Sequence, residues 1–113
     1  MEVFFDEDEM VLSAIAGAGR YGNNAILICT TKRFYYYDKG YPLGAGLGVG
    51  FIGDETVDLK EKKATGSSVA ISDRTGLWPF IIDNAPQSAA KEMYYSLQNE
   101  IKRAAFVKQG EEN

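Results

Sequence analysis

The chain of 113 residues contains no histidine and only one cysteine. Because histidine is the commonest general base and a frequent metal ligand, its absence removes any catalytic pairing of histidine with cysteine or serine. The single cysteine, Cys29, cannot form an internal disulfide and lies in an apolar segment, which predicts a buried core thiol and gives no indication of an oxidising compartment. We therefore expect no enzyme activity, no cofactor and no metal.

Long apolar segments are also missing, since none approaches the ~20 residues that a membrane-spanning helix needs. The first nine residues are acidic and do not resemble a secretory signal. These features predict a cytoplasmic protein with a single domain, residues 1–113, in which 1–9 form an acidic arm and 108–113 a polar tail. The net charge of −4 disfavours nucleic acid and makes an anionic membrane the less favoured partner.

The clearest secondary-structure signal is a β-hairpin over residues 25–38. Two segments rich in β-branched and aromatic residues, 25–29 and 34–37, flank the short polar segment 30–33 (TTKR). So few residues separate them that only a tight turn fits. We therefore expect the chain to be mainly antiparallel β.

The second strand of this hairpin contains four consecutive aromatic residues. Successive side chains in a strand point to opposite faces, so Phe34 and Tyr36 share one face while Tyr35 and Tyr37 share the other. We expect one pair to lie in the core and the other to form a half-exposed aromatic patch.

Residues 43–51 (LGAGLGVGF) alternate strictly between apolar residues and glycine. As a strand, this segment would have one apolar face and one face without side chains. Four glycines in register favour either a strand that another backbone approaches closely or a mobile, irregular loop. The sequence leaves both interpretations open.

The remaining pattern predicts further short strands and one C-terminal helix. The other strands are expected over residues 10–16, 56–59, 64–67, 69–72 and 77–83, with a charged turn or brief helix over 60–63. The helix is expected over about 86–107, with Asn84 as its cap and Pro86 in its first turn. One apolar stripe repeats at helical spacing, namely Ala90, Met93, Tyr94, Leu97, Ile101, Ala104 and Ala105.

Residues 17–22 (GAGRYG) match the G-x-G-x-x-G pattern of dinucleotide-binding sites. That fingerprint requires a helix after the glycines, because the phosphate binds at the helix N-terminus. Here the residues that follow have the pattern of a strand. We therefore interpret 17–24 as a glycine-rich hairpin loop.

The segment from Thr30 to Gly40, TTKRFYYYDKG, resembles the bacterial PH-like domains of the YokE-like type. Those domains show a threonine-x-lysine-arginine hairpin, an apolar–aromatic strand and a glycine turn, and residues 56–60 and 77–107 match them loosely. The resemblance implies a PH-like barrel of about seven antiparallel strands in two near-orthogonal sheets, capped by the C-terminal helix. It also implies a non-enzymatic interaction scaffold that self-associates in some relatives.

Lipid binding is not implied by the resemblance. Phosphoinositide-binding PH domains have several basic residues in the first hairpin loop, whereas 17–24 offers only Arg20. Their terminal helix contains a tryptophan, whereas Trp78 lies in the last predicted strand.

We therefore expect a protein–protein interaction module or scaffold whose partner is another protein or a second copy of the chain. The candidate interaction surface consists of Leu43, Gly44, Gly46, Leu47, Gly48, Gly50, Phe51, Tyr35 and Tyr37. The alternative is a module for anionic lipid surfaces that uses Arg20, Lys60, Lys62 and Lys63. A further alternative, based only on size, charge and the lack of catalytic residues, is a small phage or mobile-element protein that blocks a host factor.

Overall fold

The computed structural model describes residues 5–19, 24–39, 47–62, 66–73, 75–76 and 79–112. In these residues, seven strands precede one helix. The strands are β1 (Val11–Gly17), β2 (Ala25–Thr30), β3 (Arg33–Asp38), β4 (Leu47–Gly50), β5 (Thr56–Lys62), β6 (Gly66–Ser72) and β7 (Phe80–Ala85), and the helix is α1 (Gln87–Glu112).

The strands form two antiparallel sheets, one in the order β1-β2-β3-β4 and the other in the order β5-β6-β7. Within each sheet, the paired strands are therefore neighbours in sequence. In the described residues, an isolated β-bridge joins the two sheets, and there the backbone N–H groups of Ala18 and Asp83 each donate to the carbonyl of the other, both at 2.7 Å. The predicted mainly β architecture with a C-terminal helix is confirmed.

The predicted closure into a barrel is wrong. In the described part of the chain, β4 and β5 do not pair with each other, and α1 packs against β1, β5 and β6. The connection between β4 and β5 turns through Gly53, whose φ is 99°. The amides of Ile52 and Gly53 donate to the Glu55 carboxylate at 2.7–3.2 Å, so a local loop replaces the ladder that would join the sheets.

The core lies between the two sheets and the apolar stripe of α1. The buried side chains of α1 are Ala90, Met93, Leu97 and Ile101, as predicted, and Tyr94 packs partly against them. Glu100 is also buried, at 3% exposure, although the apolar stripe does not include it. Its carboxylate lies 3.5 Å from the Arg103 guanidinium, which supplies an opposite charge.

Cys29 is fully buried on β2, which confirms the prediction of a core thiol. Burial, together with the smaller effect of the nearby negative charge of Glu100, raises the pKa of this thiol to about 12. Because the thiolate is the nucleophile of cysteine chemistry, this side chain is inert in the folded protein.

Several predicted boundaries are corrected. The segment 60–62 belongs to β5 rather than to a turn or helix, because β5 is an edge strand whose outer face tolerates charged side chains. The sequence predicts two strands over 64–67 and 69–72, but residues 66–72 form the single strand β6, and 64–65 lie outside the described residues.

The start of α1 also differs from the prediction. Asn84 lies in β7 with a φ of 58°, and the carbonyl of Pro86 accepts the first helical hydrogen bond, from the N–H of Ala90 at 2.9 Å. Asn84 therefore ends a strand instead of capping the helix.

Candidate functional site

The acidic N-terminal arm, residues 5–9, folds back onto the β2–β3 hairpin. A turn closes the arm, because the N–H of Glu9 donates to the carbonyl of Asp6 at 3.0 Å and the N–H of Asp6 donates to the Glu9 carboxylate at 3.0 Å. Just after the arm, the carbonyl of Met10 accepts from the N–H of Thr31 at 3.0 Å, and the N–H of Met10 donates to the Thr31 hydroxyl at 3.1 Å. Backbone contacts therefore fix the arm against the hairpin turn.

Glu9 is the centre of this contact, and its side chain is fully covered. Its carboxylate accepts hydrogen bonds from the Thr30 hydroxyl and, at 2.9 and 3.0 Å, from the Tyr35 hydroxyl. Burial alone would raise the pKa of Glu9. The hydrogen bonds from Thr30, the Asp6 N–H and Tyr35, together with the charge of Arg33, outweigh burial and lower the pKa below its ordinary value of 4.5.

Two cations of the hairpin turn hold the other carboxylates of the arm. The Lys32 ammonium lies 3.2 Å from Asp6 and 2.7 Å from Asp8, and the Arg33 guanidinium lies 3.1 Å from Asp6. The hydrogen bond to Asp8 is the main reason that the pKa of Lys32 is raised. Because Asp6 and Asp8 are largely exposed, each ion pair contributes little by itself.

These contacts define a carboxylate cradle, formed by the side chains of Thr30, Lys32, Arg33 and Tyr35. It combines two cations with two hydroxyl donors on one edge of a hairpin. Arg33 donates to the Tyr35 hydroxyl at 3.3 Å, which leaves that hydroxyl free to donate to Glu9. Such an arrangement is suited to binding carboxylates, because charge-assisted hydrogen bonds are stronger than neutral ones.

The aromatic strand β3 has the predicted division of faces. Phe34 and Tyr36 belong to the hydrophobic core, and Tyr35 lies on the opposite face. Tyr35 is nevertheless only 9% exposed, because the arm covers it and the Phe5 ring packs edge-on at a centroid distance of 5.3 Å. Tyr37 is half-buried and lines a shallow depression beside β1. The expected open patch of tyrosines is therefore closed at Tyr35.

The glycine-striped segment is a strand over Leu47–Gly50. Gly48 lies opposite Tyr35, where a Cβ atom would come within 3.0 Å of the tyrosine ring, and Gly50 lies opposite Arg33 with open space beside it. Glycine at position 48 therefore leaves room for the Tyr35 ring. Of the two open interpretations, the glycine-faced strand holds for 47–50. Leu43, Gly44 and Gly46 lie outside the described residues.

Phe51 follows β4 and belongs to the interior rather than to an exposed surface. Its ring lies 5.8 Å from Phe34, and the side chain is half-buried against the core cluster. This contact anchors the end of β4 and leaves the glycines as the exposed part of the candidate interaction surface.

The edges of the two sheets differ in chemistry. Within the described residues, β4 pairs only with β3 and β5 pairs only with β6. The exposed side chains of β5 include Asp58, Lys60, Glu61 and Lys62, which protect an edge from pairing with other chains. The sequence of β4, LGVG, contains no charged residue and no proline. In the described residues, the edge of β4 therefore has neither a charged side chain nor a proline that would oppose pairing.

The candidate lipid contacts are only partly described. Lys60 and Lys62 are exposed and share one face of β5 with Asp58, whereas Glu61 pairs with Lys91 at 3.2 Å. Arg20 and Lys63 lie outside the described residues. On β5, the two lysines therefore share their surface with a carboxylate, which reduces its positive potential.

A groove lies between α1 and the β4–β5 connection. Ile52 and Val107, both more than half exposed, line it together with the buried Glu100. The groove adds apolar surface to the molecule near the end of β4.

The sequence predicts an acidic arm over residues 1–9 but does not indicate the roles of Glu9, Lys32 and Arg33. The one available signal was complementary charge, since the arm is acidic and the hairpin turn is basic. Charge alone does not specify which distant segments will meet.

Acidification should loosen the arm. Because the pKa of Glu9 is lowered by docking, its carboxylate stabilises the docked arm at neutral pH, and this stabilisation falls below about pH 4.5 and disappears once the docked Glu9 is protonated. Thermal unfolding measured from pH 7 to pH 3 should therefore depend less on pH for Glu9→Gln than for the unchanged chain. Glu7→Gln removes the same charge from an exposed position and should retain the original pH dependence. Parallel curves for all three proteins would contradict this role of Glu9.

The described ranges contain no cluster of three or more His, Cys, Asp or Glu side chains that could hold a metal ion. In the same ranges, no helix combines the length and the apolar character needed to cross a membrane.

Comparison with protein-family models, with curated proteins and with solved structures gives no significant match. The resemblance to bacterial PH-like domains therefore stays a prediction from the sequence.

Proposed function

We propose that the chain is a non-enzymatic, cytoplasmic protein-interaction module on a PH-like scaffold, and that it self-associates by pairing the edges of two β4 strands. The observation on which this rests is the edge of β4, which in the described residues pairs with no strand other than β3 and has no charged residue. An extended strand added to such an edge gains main-chain hydrogen bonds, and the absence of charge allows a second copy of the same strand to approach. A two-fold axis between two such edges would join the four-stranded sheets of two copies.

The PH-like part of the proposal is supported by the order of elements. Seven antiparallel strands in two sheets, followed by one C-terminal helix, agree with what the resemblance implies. The near-orthogonal packing of the sheets is part of the proposal. The lipid alternative has less support, because Asp58 shares the outer face of β5 with Lys60 and Lys62.

A charged residue on the β4 edge tests the proposal. Gly50→Lys adds a side chain where there is open space, so the fold should be retained. Facing copies would then bring two lysines together, and we expect association to weaken at least tenfold, which corresponds to about 1.4 kcal/mol. Light scattering after size-exclusion chromatography, over a range of protein concentrations, measures this change.

Asp58→Asn is the matched control, since it changes the net charge by the same amount on the protected β5 edge. It should leave association unchanged. Concentration-independent monomers for the unchanged chain, or equal association of the unchanged chain and Gly50→Lys, would rule out self-association through β4.

A further inference from the structure

The arm is attached to the hairpin in the manner of a ligand. Its carboxylates contact the cradle side chains, and none of its residues belongs to the hydrophobic core cluster. Phe5 remains 41% exposed while its ring edge packs on Tyr35. A segment attached through hydrogen bonds and ion pairs, with no residue in the core cluster, can leave its site without opening that cluster.

We infer that the carboxylate cradle is a binding site for acidic peptides, and that the N-terminal arm occupies this site as an internal competitor. The preferred peptide has an aromatic residue followed by carboxylates with the spacing of Phe5, Asp6 and Glu9. The cradle side chains belong to the β2–β3 hairpin, and Arg33 and Tyr35 lie beside β4. Binding of a peptide to these side chains does not require that two β4 edges pair.

The contacts of the arm favour a peptide over a phosphate group or a lipid headgroup. Lys32 and Arg33 would attract any anion. The Tyr35 ring also contacts an aromatic side chain, and the N–H of Thr31 donates to the backbone carbonyl of Met10 at 3.0 Å. Only a peptide supplies the aromatic ring, the backbone carbonyl and the carboxylates together.

Competition between the arm and a free peptide has a measurable consequence. A tethered segment acts at an effective concentration in the millimolar range, so it blocks weak ligands efficiently. A free peptide binds only the fraction of molecules whose arm is released, so its apparent dissociation constant equals the intrinsic constant divided by that fraction. Substitutions that weaken the contact between the arm and the cradle increase the fraction of molecules whose arm is released. They should therefore lower the apparent dissociation constant of the peptide by the same factor.

The test uses the full chain and a fluorescein-labelled peptide of sequence FFDEDEM, with fluorescence anisotropy as the measurement. We expect the double variant Asp6→Asn, Glu9→Gln to bind this peptide at least tenfold more tightly than the unchanged chain. Glu7→Gln, which removes a charge from an exposed position of the arm, should bind like the unchanged chain. A peptide with asparagine and glutamine in place of its acidic residues should not bind the double variant.

A third substitution locates the site. Arg33→Gln in the double-variant background should remove the gain in affinity while thermal unfolding shows that the protein remains folded. If the double variant does not fold, the single variant Asp6→Asn replaces it in the binding assay. Asp6 is about half exposed, so this substitution should leave the fold intact.

Two results would overturn the inference. One is equal peptide affinity for the unchanged chain and the arm variants. The other is flotation of the double variant with phosphatidylglycerol vesicles without measurable peptide binding, which would assign the cradle to lipid headgroups instead.

Discussion

Replacing Gly53 with alanine should destabilise the protein by about 3 kcal/mol. The φ of 99° at Gly53 is strained for any residue with a Cβ atom, which by itself costs about 1–3 kcal/mol. The added Cβ would also come within 2.7 Å of the Cα and N atoms of Ala105, in the backbone of α1, which cannot move aside like a flexible side chain. Urea unfolding of the unchanged chain and the variant measures the difference.

Two other glycines separate these effects. Gly76 also has a positive φ, 69°, but open space around its Cβ position, so Gly76→Ala should show backbone strain alone, about 1 kcal/mol. Gly50 has open space at its Cβ position and does not have a positive φ. Gly50→Ala should therefore change the free energy of unfolding by no more than about 0.5 kcal/mol. Equal losses for Gly53→Ala and Gly76→Ala would show that the β4–β5 connection does not pack on α1.

Leu97→Ala should have a comparable effect, a loss of about 2–5 kcal/mol in the free energy of unfolding. Leu97 is fully buried in the centre of α1, so truncation removes apolar burial and leaves a cavity between the helix and the sheets. Chemical denaturation with an unchanged m-value would show that stability, rather than compactness, has changed.

Phe106 is the matched control on the same helix. It is the larger side chain but is 75% exposed, so Phe106→Ala should change stability by about 0.5 kcal/mol or less. If Phe106→Ala lost as much stability as Leu97→Ala, the assignment of the buried face of α1 would be wrong.

The parts of the fold that could be predicted from the sequence depend on local patterns. The hairpin of β2 and β3, the opposite faces of Phe34 and Tyr35, and the buried stripe of α1 all follow from the periods of strands and helices. These periods are properties of the backbone, so distant contacts do not alter them.

The parts that could not be predicted depend on distant contacts. Residues 60–62 have the composition of a charged turn, but pairing with β6 makes them an edge strand. Glu100 is polar and yet buried on α1, where the Arg103 guanidinium lies 3.5 Å from its carboxylate. Tyr35 was expected to be half-exposed, and only the docked arm explains why it is covered.

The backbone hydrogen bonds between Ala18 and Asp83 lie next to the glycines of the G-x-G-x-x-G match and affect how that match is interpreted. A Cβ atom on Gly17 would overlap the carbonyl oxygen of Asp83, and one on Gly19 would overlap the Asp38 carboxylate and the side chain of Ala25. The first two glycines of the G-x-G-x-x-G match are therefore required by the close approach of neighbouring backbone and side chains, without any nucleotide. In all-β proteins, such a match can mark the place where two sheets touch, and a pattern scan alone would assign it to a cofactor.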